Sequence, residues 1–180
     1  AAGGWLTLNA TYTYGIVHRK LIEDYRREPA LPTYLIESTY EGEHNASPVQ
    51  IRRQAYWALL CGGCGHFYGN YPLWSMDPGW EAALNARGAQ DMARLRALVD
   101  SRPWQALLPD LEHAAVVAGL GEFRGLDYCA AARAADGSLI VAYMPTARTI
   151  AVDLEQMVGR KMVAWWFNPR TGAATPAGQS

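Results

Sequence analysis

The sequence contains 180 residues, of which half are hydrophobic and 18% are charged, and its formal net charge at pH 7 is −1. This composition excludes a disordered chain, and it lacks the basic excess that is typical of nucleic-acid-binding proteins. No apolar run approaches the roughly 20 residues that a membrane-spanning helix requires. The chain is long enough for one domain or two small ones with a sizeable core. We therefore expect neither nucleic-acid nor membrane partners.

The first part of the chain alternates between strand-like and helix-like segments. Apolar and β-branched runs predict strands at 5–12, 33–37 and 64–68, and amphipathic periodicity predicts helices at 15–28, 48–61 and 88–100. Such alternation indicates parallel βαβ units. Three strands are too few for a closed barrel or a doubly wound sheet. The sequence also starts without Met and enters strand-like residues almost at once, so we expect a mature form or a fragment of a larger domain.

The second predicted helix has a distinct N-terminal signal. Ser47 can cap it, Pro48 suits its first turn, and Gln50 completes a capping-box pattern. Arg52 and Arg53 are expected to lie outside. The buried stripe is predicted to contain Ile51, Ala55 and Leu59.

After Pro109 the pattern changes to short β-prone runs, at 128–133, 139–144, 149–154 and 161–167. Asp136-Gly137 indicates a two-residue hairpin turn, and Trp165 and Trp166 should point to opposite faces of their strand. The runs predict an antiparallel meander or sandwich. We therefore predict two domains, at residues 1–112 and 120–180, with the boundary between 110 and 122.

Polar and aromatic residues gather near the carboxyl ends of the three predicted strands. In a parallel barrel these ends share one rim, where barrel enzymes hold their chemistry. Tyr and Trp rings beside carboxylates suit a sugar, whose apolar faces lie on aromatic rings while its hydroxyls form hydrogen bonds. Glu37 ends a buried apolar strand and is the predicted catalytic residue. The residues predicted to bind substrate are Asn9, Tyr40, Glu41, His66, Tyr68 and Trp74.

Glycoside hydrolysis needs a second carboxyl group beside Glu37, because one group protonates the leaving oxygen while the other acts as nucleophile or base. Glu41 and Glu43 are close in sequence but lie in a loop, and Asp77 is more distant. Neither the loop acids nor Asp77 is assigned as the partner. Cys61-Gly-Gly-Cys64 matches a bare C-x-x-C, without the second pair or the spaced histidines of a zinc site. We predict no metal and no cofactor, and regard a thiol or metal site as an alternative.

Several motifs resemble the C-terminal part of the apiosidase-like glycoside hydrolases. The run Glu37-Ser-Thr-Tyr40-Glu41 is the strongest of them. It is followed by Arg53-Gln-Ala-Tyr-Trp57, Gly62-Gly-Cys-Gly65, Tyr68-Gly69, Trp74, Trp80, and Trp104 with Leu108-Pro109-Asp110. In the second part, Val141-Ala-Tyr-Met-Pro145 and Ala164-Trp-Trp-Phe-Asn-Pro-Arg-Thr-Gly172 resemble the β-sandwich of collagen-binding type that follows the barrel in this family.

The resemblance implies a bacterial enzyme with an α/β fold, in which the chain supplies the last three units of a (β/α)8 TIM barrel and the antiparallel β-sandwich. Glu37 would be the catalytic carboxylate after the seventh strand. Its partner would follow the fourth strand, in an N-terminal barrel half that these 180 residues lack. The Cys-Gly-Gly-Cys variant of the eighth strand departs from the family pattern.

We therefore expect a secreted or periplasmic glycoside hydrolase of polysaccharide degradation, acting on plant-type polysaccharide or its side chains. Taken alone, the 180-residue chain should be inactive because it carries one of the two acids. The alternative is a non-catalytic carbohydrate- or protein-binding module, with the β-sandwich as the working part.

Overall fold

The computed structural model describes residues 4–159 and 161–179, and within them the first part of the chain alternates strands with helices. Its elements are β1 (Asn9–Tyr12), α1 (Val17–Tyr25), β2 (Thr33–Glu37), α2 (Pro48–Leu60), β3 (Gly63–His66), the short α3 (Trp80–Ala83) and α4 (Arg87–Asp100). The predicted alternation is confirmed, and the strand over 33–37 has the predicted bounds. The first strand is shorter than predicted, and the short α3 lacked the periodicity that would have indicated it.

The three strands form one parallel sheet in the order β1-β2-β3. Thr11, Thr33 and Leu35 are buried on the side of the sheet that faces α1 and α2. Residues on the opposite side, such as Tyr12 and Ile36, are exposed at 57% and 40%. The sheet is therefore covered on one face by its own helices and open on the other.

Helix α2 begins as its sequence signal predicts, because the Ser47 hydroxyl accepts a hydrogen bond from the Gln50 amide N–H at 3.2 Å. The Gln50 side chain does not complete a capping box; it donates to the Thr39 hydroxyl at 3.0 Å. The expectation that Arg52 lies outside is wrong. Its guanidinium is buried and pairs with the buried Asp91 of α4 at 2.6 Å, so an ion pair joins the two helices.

The second part of the chain contains short antiparallel strands in three separate sheets. They are β4 (Leu107–Pro109), β5 (Val116–Ala118), β6 (Ala130–Ala134), β7 (Ile140–Tyr143), β8 (Ala151–Val152), β9 (Val163–Phe167) and β10 (Ala174–Gln179). The order β4-β6-β7 forms one sheet, β5 pairs with β8, and β9 pairs with β10. The sequence patterns missed β4, β5 and β10.

The turn between β6 and β7 differs from the predicted two-residue turn. The Ala134 N–H donates to the Leu139 carbonyl at 2.8 Å, so that the residues between them form a longer loop. Gly137 lies in this loop with a φ of 70°, a left-handed value that favours glycine. The Asp-Gly pair therefore predicts the position of the hairpin correctly, but the turn is longer than the two residues that this pair indicates.

The connection between β4 and β5 is held by a buried carboxylate. Asp110 accepts hydrogen bonds from the backbone N–H groups of Ala114, Ala115 and Val116 at 2.9–3.1 Å. Buried N–H groups without such a partner would cost free energy, so Asp110 stabilises the segment that leads into the C-terminal strands.

Both parts of the chain contribute to one core. Tyr56 of α2 stacks on Tyr143 of β7, with ring centroids 4.2 Å apart. The indole N–H of Trp57 donates to the Tyr128 carbonyl at 3.0 Å. The core cluster continues through residues of both parts, including Val17, Leu21, Leu35, Leu95, Ala130 and Ala132.

The architecture is mixed α/β, with a parallel sheet and helices first and antiparallel strands after. The domain bounds 1–112 and 120–180 remain a prediction. No helix in the part of the chain that the structure describes is long and apolar enough to cross a membrane.

Candidate active site

Glu37 lies at the carboxyl end of β2, where the parallel sheet places the ends of its strands together. Thr11 pairs with Leu35, but the next residue, Tyr12, pairs with Glu37, so the register skips Ile36. Strict alternation from the buried Leu35 would place Glu37 on the helix side. The irregularity instead pairs it with the exposed Tyr12, and bulges of this kind redirect side chains near active sites. Glu37 is half-buried beside the open face.

A tyrosine hydroxyl holds the Glu37 carboxylate. Tyr14 Oη donates a hydrogen bond to Glu37 Oε1 at 2.7 Å. This bond is the main reason that the pKa of Tyr14 is raised well above its usual value, so the phenol remains a donor at neutral pH. Glu37 Oε2 accepts no hydrogen bond from the residues that the structure describes. One oxygen is therefore fixed in place and the other is available.

Tyr40 lies beside this carboxylate. Burial first, and the Glu37 charge second, raise the pKa of Tyr40. A Cβ added at Gly69 would approach the Tyr40 ring to within 2.5 Å, so glycine lets the ring lie directly on the backbone. The role of Tyr40 in binding substrate stays a prediction.

A shallow depression of about 440 Å³ lies next to Tyr14, and Thr39, His44 and Gln50 also line it. The His44 ring meets the Tyr14 ring edge-on, with centroids 6.2 Å apart. His44 lies in a loop, where the sequence shows no helical or strand periodicity. Tyr14 follows the end of the first predicted strand, at 5–12. Sequence reasoning therefore noted the aromatic residues here but did not assign Tyr14 or His44 to the site.

Glu41 and Tyr68 are half-buried and form hydrogen bonds with each other and with neighbouring groups. Both oxygens of Glu41 accept from the Gly88 N–H at the start of α4, each at 2.9 Å. Tyr68 Oη donates to Glu41 Oε2, and Asn70 Nδ2 donates to Tyr68 Oη at 2.9 Å. Burial, and then the bond to Glu41, raise the pKa of Tyr68. These groups are occupied with one another, so they position the loop after β2.

Trp74 lies in the loop after β3 with its ring 62% exposed. Its indole N–H donates to Glu43 Oε1 at 2.8 Å, and the Tyr71 ring is tilted against it at 6.4 Å. An exposed indole held in this way is a suitable surface for a sugar ring.

Of the two remaining predicted site residues, Asn9 lies at the other end of the sheet and His66 lies at the carboxyl end of its strand. Asn9 begins β1 and does not end it; it pairs with Thr33, at the opposite end of the sheet from Glu37. The rim position expected for Asn9 is therefore wrong, because the strand starts later than the apolar run indicated. His66 ends β3, where it pairs with Leu35. Burial lowers the pKa of His66 to about 4, so its ring is neutral at neutral pH.

The cysteines do not gather into one site. Cys61 is buried after α2, and burial raises the pKa of its thiol, whereas Cys64 is exposed in β3. Across residues 4–159 and 161–179, no group of three or more His, Cys, Asp or Glu side chains is arranged to hold a metal ion.

Comparison with known proteins gives the family. The family model described as "Apiosidase-like, catalytic domain" matches residues 2–106, more than half of the chain. The chain belongs to the apiosidase-like family. Residues 115–180 of this family member match a second model, "Putative collagen-binding domain of a collagenase". The comparison with curated proteins gave no match.

Solved structures are similar to this apiosidase-like chain along almost its whole length. A protein described as a glycoside hydrolase matches with a TM-score of 0.85 and 24% identity, over 98% of this chain and 47% of its own. A family 5 glycoside hydrolase from Bacteroides vulgatus ATCC 8482 matches with a TM-score of 0.84 and 23% identity, over 98% and 46%. The chain thus spans slightly less than half the length of both, and the likeness is one of fold.

Proposed function

We propose that the chain is part of a glycoside hydrolase in which Glu37 is the catalytic nucleophile or base. The observation that carries the proposal is the geometry at the end of β2. A register irregularity pairs Glu37 with the exposed Tyr12, and Tyr14 holds one carboxylate oxygen at 2.7 Å. The membership in the apiosidase-like family supports the reaction class.

We further propose that β1, β2 and β3 are three of the eight strands of a TIM barrel and that the C-terminal strands form a β-sandwich. The exposed face of the parallel sheet supports this proposal, because the interior of a barrel is filled by side chains from strands all round it. The remaining strands, and the second acid, would come from residues that are not among these 180.

In the proposed reaction, Glu37 Oε2 attacks the anomeric carbon or activates a water molecule that does so. The partner acid protonates the leaving oxygen as the glycosidic bond breaks. Tyr14 donates to Oε1 throughout, which orients the carboxylate. Tyr40 and Trp74 shape the sugar site, and Glu41, Tyr68 and Asn70 position the loop that carries Tyr40.

The proposed substrates are plant-type polysaccharides or their side chains, and the proposed location is outside the bacterial cytoplasm. The aromatic side chains at the rim support a carbohydrate ligand.

The test uses the longer enzyme that contains the complete barrel, assayed on aryl glycosides and pectic oligosaccharides. Glu37→Gln should lower kcat by several orders of magnitude, because the neutral amide can act neither as nucleophile nor as base. Tyr14→Phe should lower kcat roughly tenfold to a hundredfold, the effect of losing one hydrogen bond to a charged group. A nearly unchanged rate for Glu37→Gln would remove Glu37 from the mechanism.

Two controls accompany this assay. Glu23→Gln changes an exposed carboxylate on α1 that pairs with Lys20 at 2.9 Å, and it should leave kcat unchanged. The 180-residue chain alone should show no turnover. Turnover by that chain, abolished by Glu37→Gln, would contradict the proposal that the second acid lies outside it.

A further inference from the structure

The β9–β10 hairpin exposes two neighbouring tryptophans on opposite faces. Trp165 is 52% exposed and Trp166 is 53% exposed, although large aromatic side chains in strands are normally packed against a covering layer. In the described part of the chain, this sheet has two strands. The alternation of side chains along β9 places the two rings on opposite faces, as the sequence predicts. Neither ring is covered in the way that a side chain in the core of a β-sandwich is covered.

The two faces differ in chemistry. Trp165 pairs with Pro176, and Val163 and Phe167 lie on the same face of β9, so the β9 side chains on this face are apolar. Trp166 pairs with Thr175, and Ala164 pairs with Gly178. The Trp166 face thus consists of the indole ring, the Thr175 hydroxyl and the small residues Ala164 and Gly178. A Cβ added at Gly178 would meet no atom within 4 Å, so the approach beside this face is unobstructed.

The hairpin turn is attached to the end of the molecule that carries the candidate active site. Arg87, the first residue of α4, donates from Nη2 to the Arg170 carbonyl at 2.8 Å. The next residue, Gly88, donates to the Glu41 carboxylate at 2.9 Å, and Glu41 belongs to the loop that follows Glu37. Trp166 lies just before this turn. The hairpin turn is therefore connected, through Arg87 and Gly88, to the loop that follows Glu37.

We propose that Trp166, with Thr175, forms an accessory glycan-binding surface on the β9–β10 hairpin. The indole face receives the apolar face of a sugar ring, and the Thr175 hydroxyl can bond to a sugar hydroxyl. A polar sugar suits the mixed Trp166 face, whereas the apolar β9 side chains around Trp165 suit a protein surface. The choice of a glycan as ligand rests on the proposed function.

The test measures binding by the 180-residue chain with affinity gel electrophoresis, using pectin, arabinoxylan and xyloglucan as separate probes. At least one polymer should retard the wild type. Trp166→Ala should weaken retardation about tenfold or more, the scale of one lost aromatic stacking contact. Thr175→Val should weaken it by a smaller factor. Trp165→Ala is the matched control, since it removes an equally exposed indole from the opposite face, and it should remain retarded.

Three results would overturn the proposal: no retardation of the wild type by any polymer, equal loss in both Trp variants, or loss in Trp165→Ala alone, which would indicate a protein-covered apolar face. Circular dichroism spectra of the variants check that each one folds. Glu23→Gln, which changes an exposed carboxylate on α1, should bind like the wild type, and the assay requires no hydrolysis. Gel retardation therefore reports a failure of this binding surface, whereas kcat of the longer enzyme reports a failure of the proposed reaction.

Discussion

His18 is a fully buried imidazole at the junction of the two parts of the chain. Its Nε2 lies 2.5 Å from the Phe123 carbonyl oxygen, and its ring stacks on Tyr128 at 4.6 Å and meets Trp57 edge-on at 4.3 Å. Nδ1 is buried without a hydrogen-bond partner in the described residues. Burial chiefly lowers the pKa of His18 to about 4, and the positive charges of Arg19 and Arg53 lower it further.

This shift predicts that stability depends on pH. In the unfolded chain a histidine binds its proton near pH 6.5, whereas folded His18 does so near pH 4. Between these values the unfolded state holds more protons, so the free energy of unfolding falls as the pH falls, by roughly 3 kcal/mol in all. Above pH 6.5 the contribution of His18 is fully present. Urea unfolding between pH 4 and 7.5 measures the slope.

His18→Gln should reduce this slope, because the amide cannot titrate but can still donate to the Phe123 carbonyl. Part of the slope should remain, since burial also lowers the pKa of His66. His44→Asn, at an exposed position with a φ of 48°, is the control and should keep the wild-type slope. A wild-type slope in His18→Gln would refute the assignment.

At the scale of elements, the contact between the loop after β2 and the start of α4 depends on a glycine. A Cβ at Gly88 would lie 2.4 Å from Glu41 Oε2 and 2.8 Å from the Tyr68 ring. In an ordinary helix, Gly→Ala stabilises by about 1 kcal/mol. Here Gly88→Ala should destabilise by about 1–3 kcal/mol, because overpacking forces the neighbours to move. Urea denaturation of the 180-residue chain measures the change.

A double-mutant cycle separates the clash from helix propensity. In a Glu41→Ala background the obstructing carboxylate is absent, so Gly88→Ala should cost markedly less than it does in the wild type. Equal costs in both backgrounds would mean that Glu41 does not constrain α4. The sequence indicated Glu41 as a sugar ligand. The same cycle tests whether Glu41 instead positions the loop after β2.

For the whole molecule, the shared core predicts that the chain unfolds as one unit. Trp57, Tyr56 and His18 of the first part are packed against Tyr128 and Tyr143 of the second. Calorimetry should give one transition whose calorimetric and van't Hoff enthalpies agree. Two resolved transitions would contradict this expectation.

A variant at the junction adds a second check. Trp57→Phe removes the donor to the buried Tyr128 carbonyl and should cost about 1–3 kcal/mol, or several degrees in Tm, without splitting the transition. Trp165→Phe, on the exposed hairpin, should change Tm little.

Local chemistry made much of the first part predictable. Ser47 and Pro48 start α2 as expected because a cap depends only on its near neighbours, and the bounds of β2 follow from its short apolar run. The C-terminal strands were less predictable. Two of the missed strands, β4 and β5, have three residues each, too few to establish a period, and their pairing with distant strands determines their conformation.

The candidate site divides in the same way. From the sequence alone, Glu37 was placed at the end of a buried strand with Tyr40 just after it. The structure keeps Glu37 at the end of β2, but it leaves one face of that strand open. The hydrogen bond from Tyr14 to Glu37, the attachment of Glu41 to Gly88 and the burial of Arg52 against Asp91 join residues far apart in the chain. Such pairs form only when elements pack, so no local pattern could reveal them.

The sequence by itself therefore determined the alternation of strands and long helices in the first part of the chain, the position of Glu37 at a strand end, and which family the motifs resemble. The tertiary structure alone decided which way those groups point and whether they remain free. Periodicity reports which side of an element is apolar, but a carboxylate becomes a candidate catalyst or a helix partner according to the donors that the fold brings to it. Glu37 ends β2 and Glu41 lies in the loop that follows. Packing gave Glu37 one hydrogen bond from a tyrosine and a free oxygen, whereas Glu41 accepts bonds from Tyr68 and Gly88.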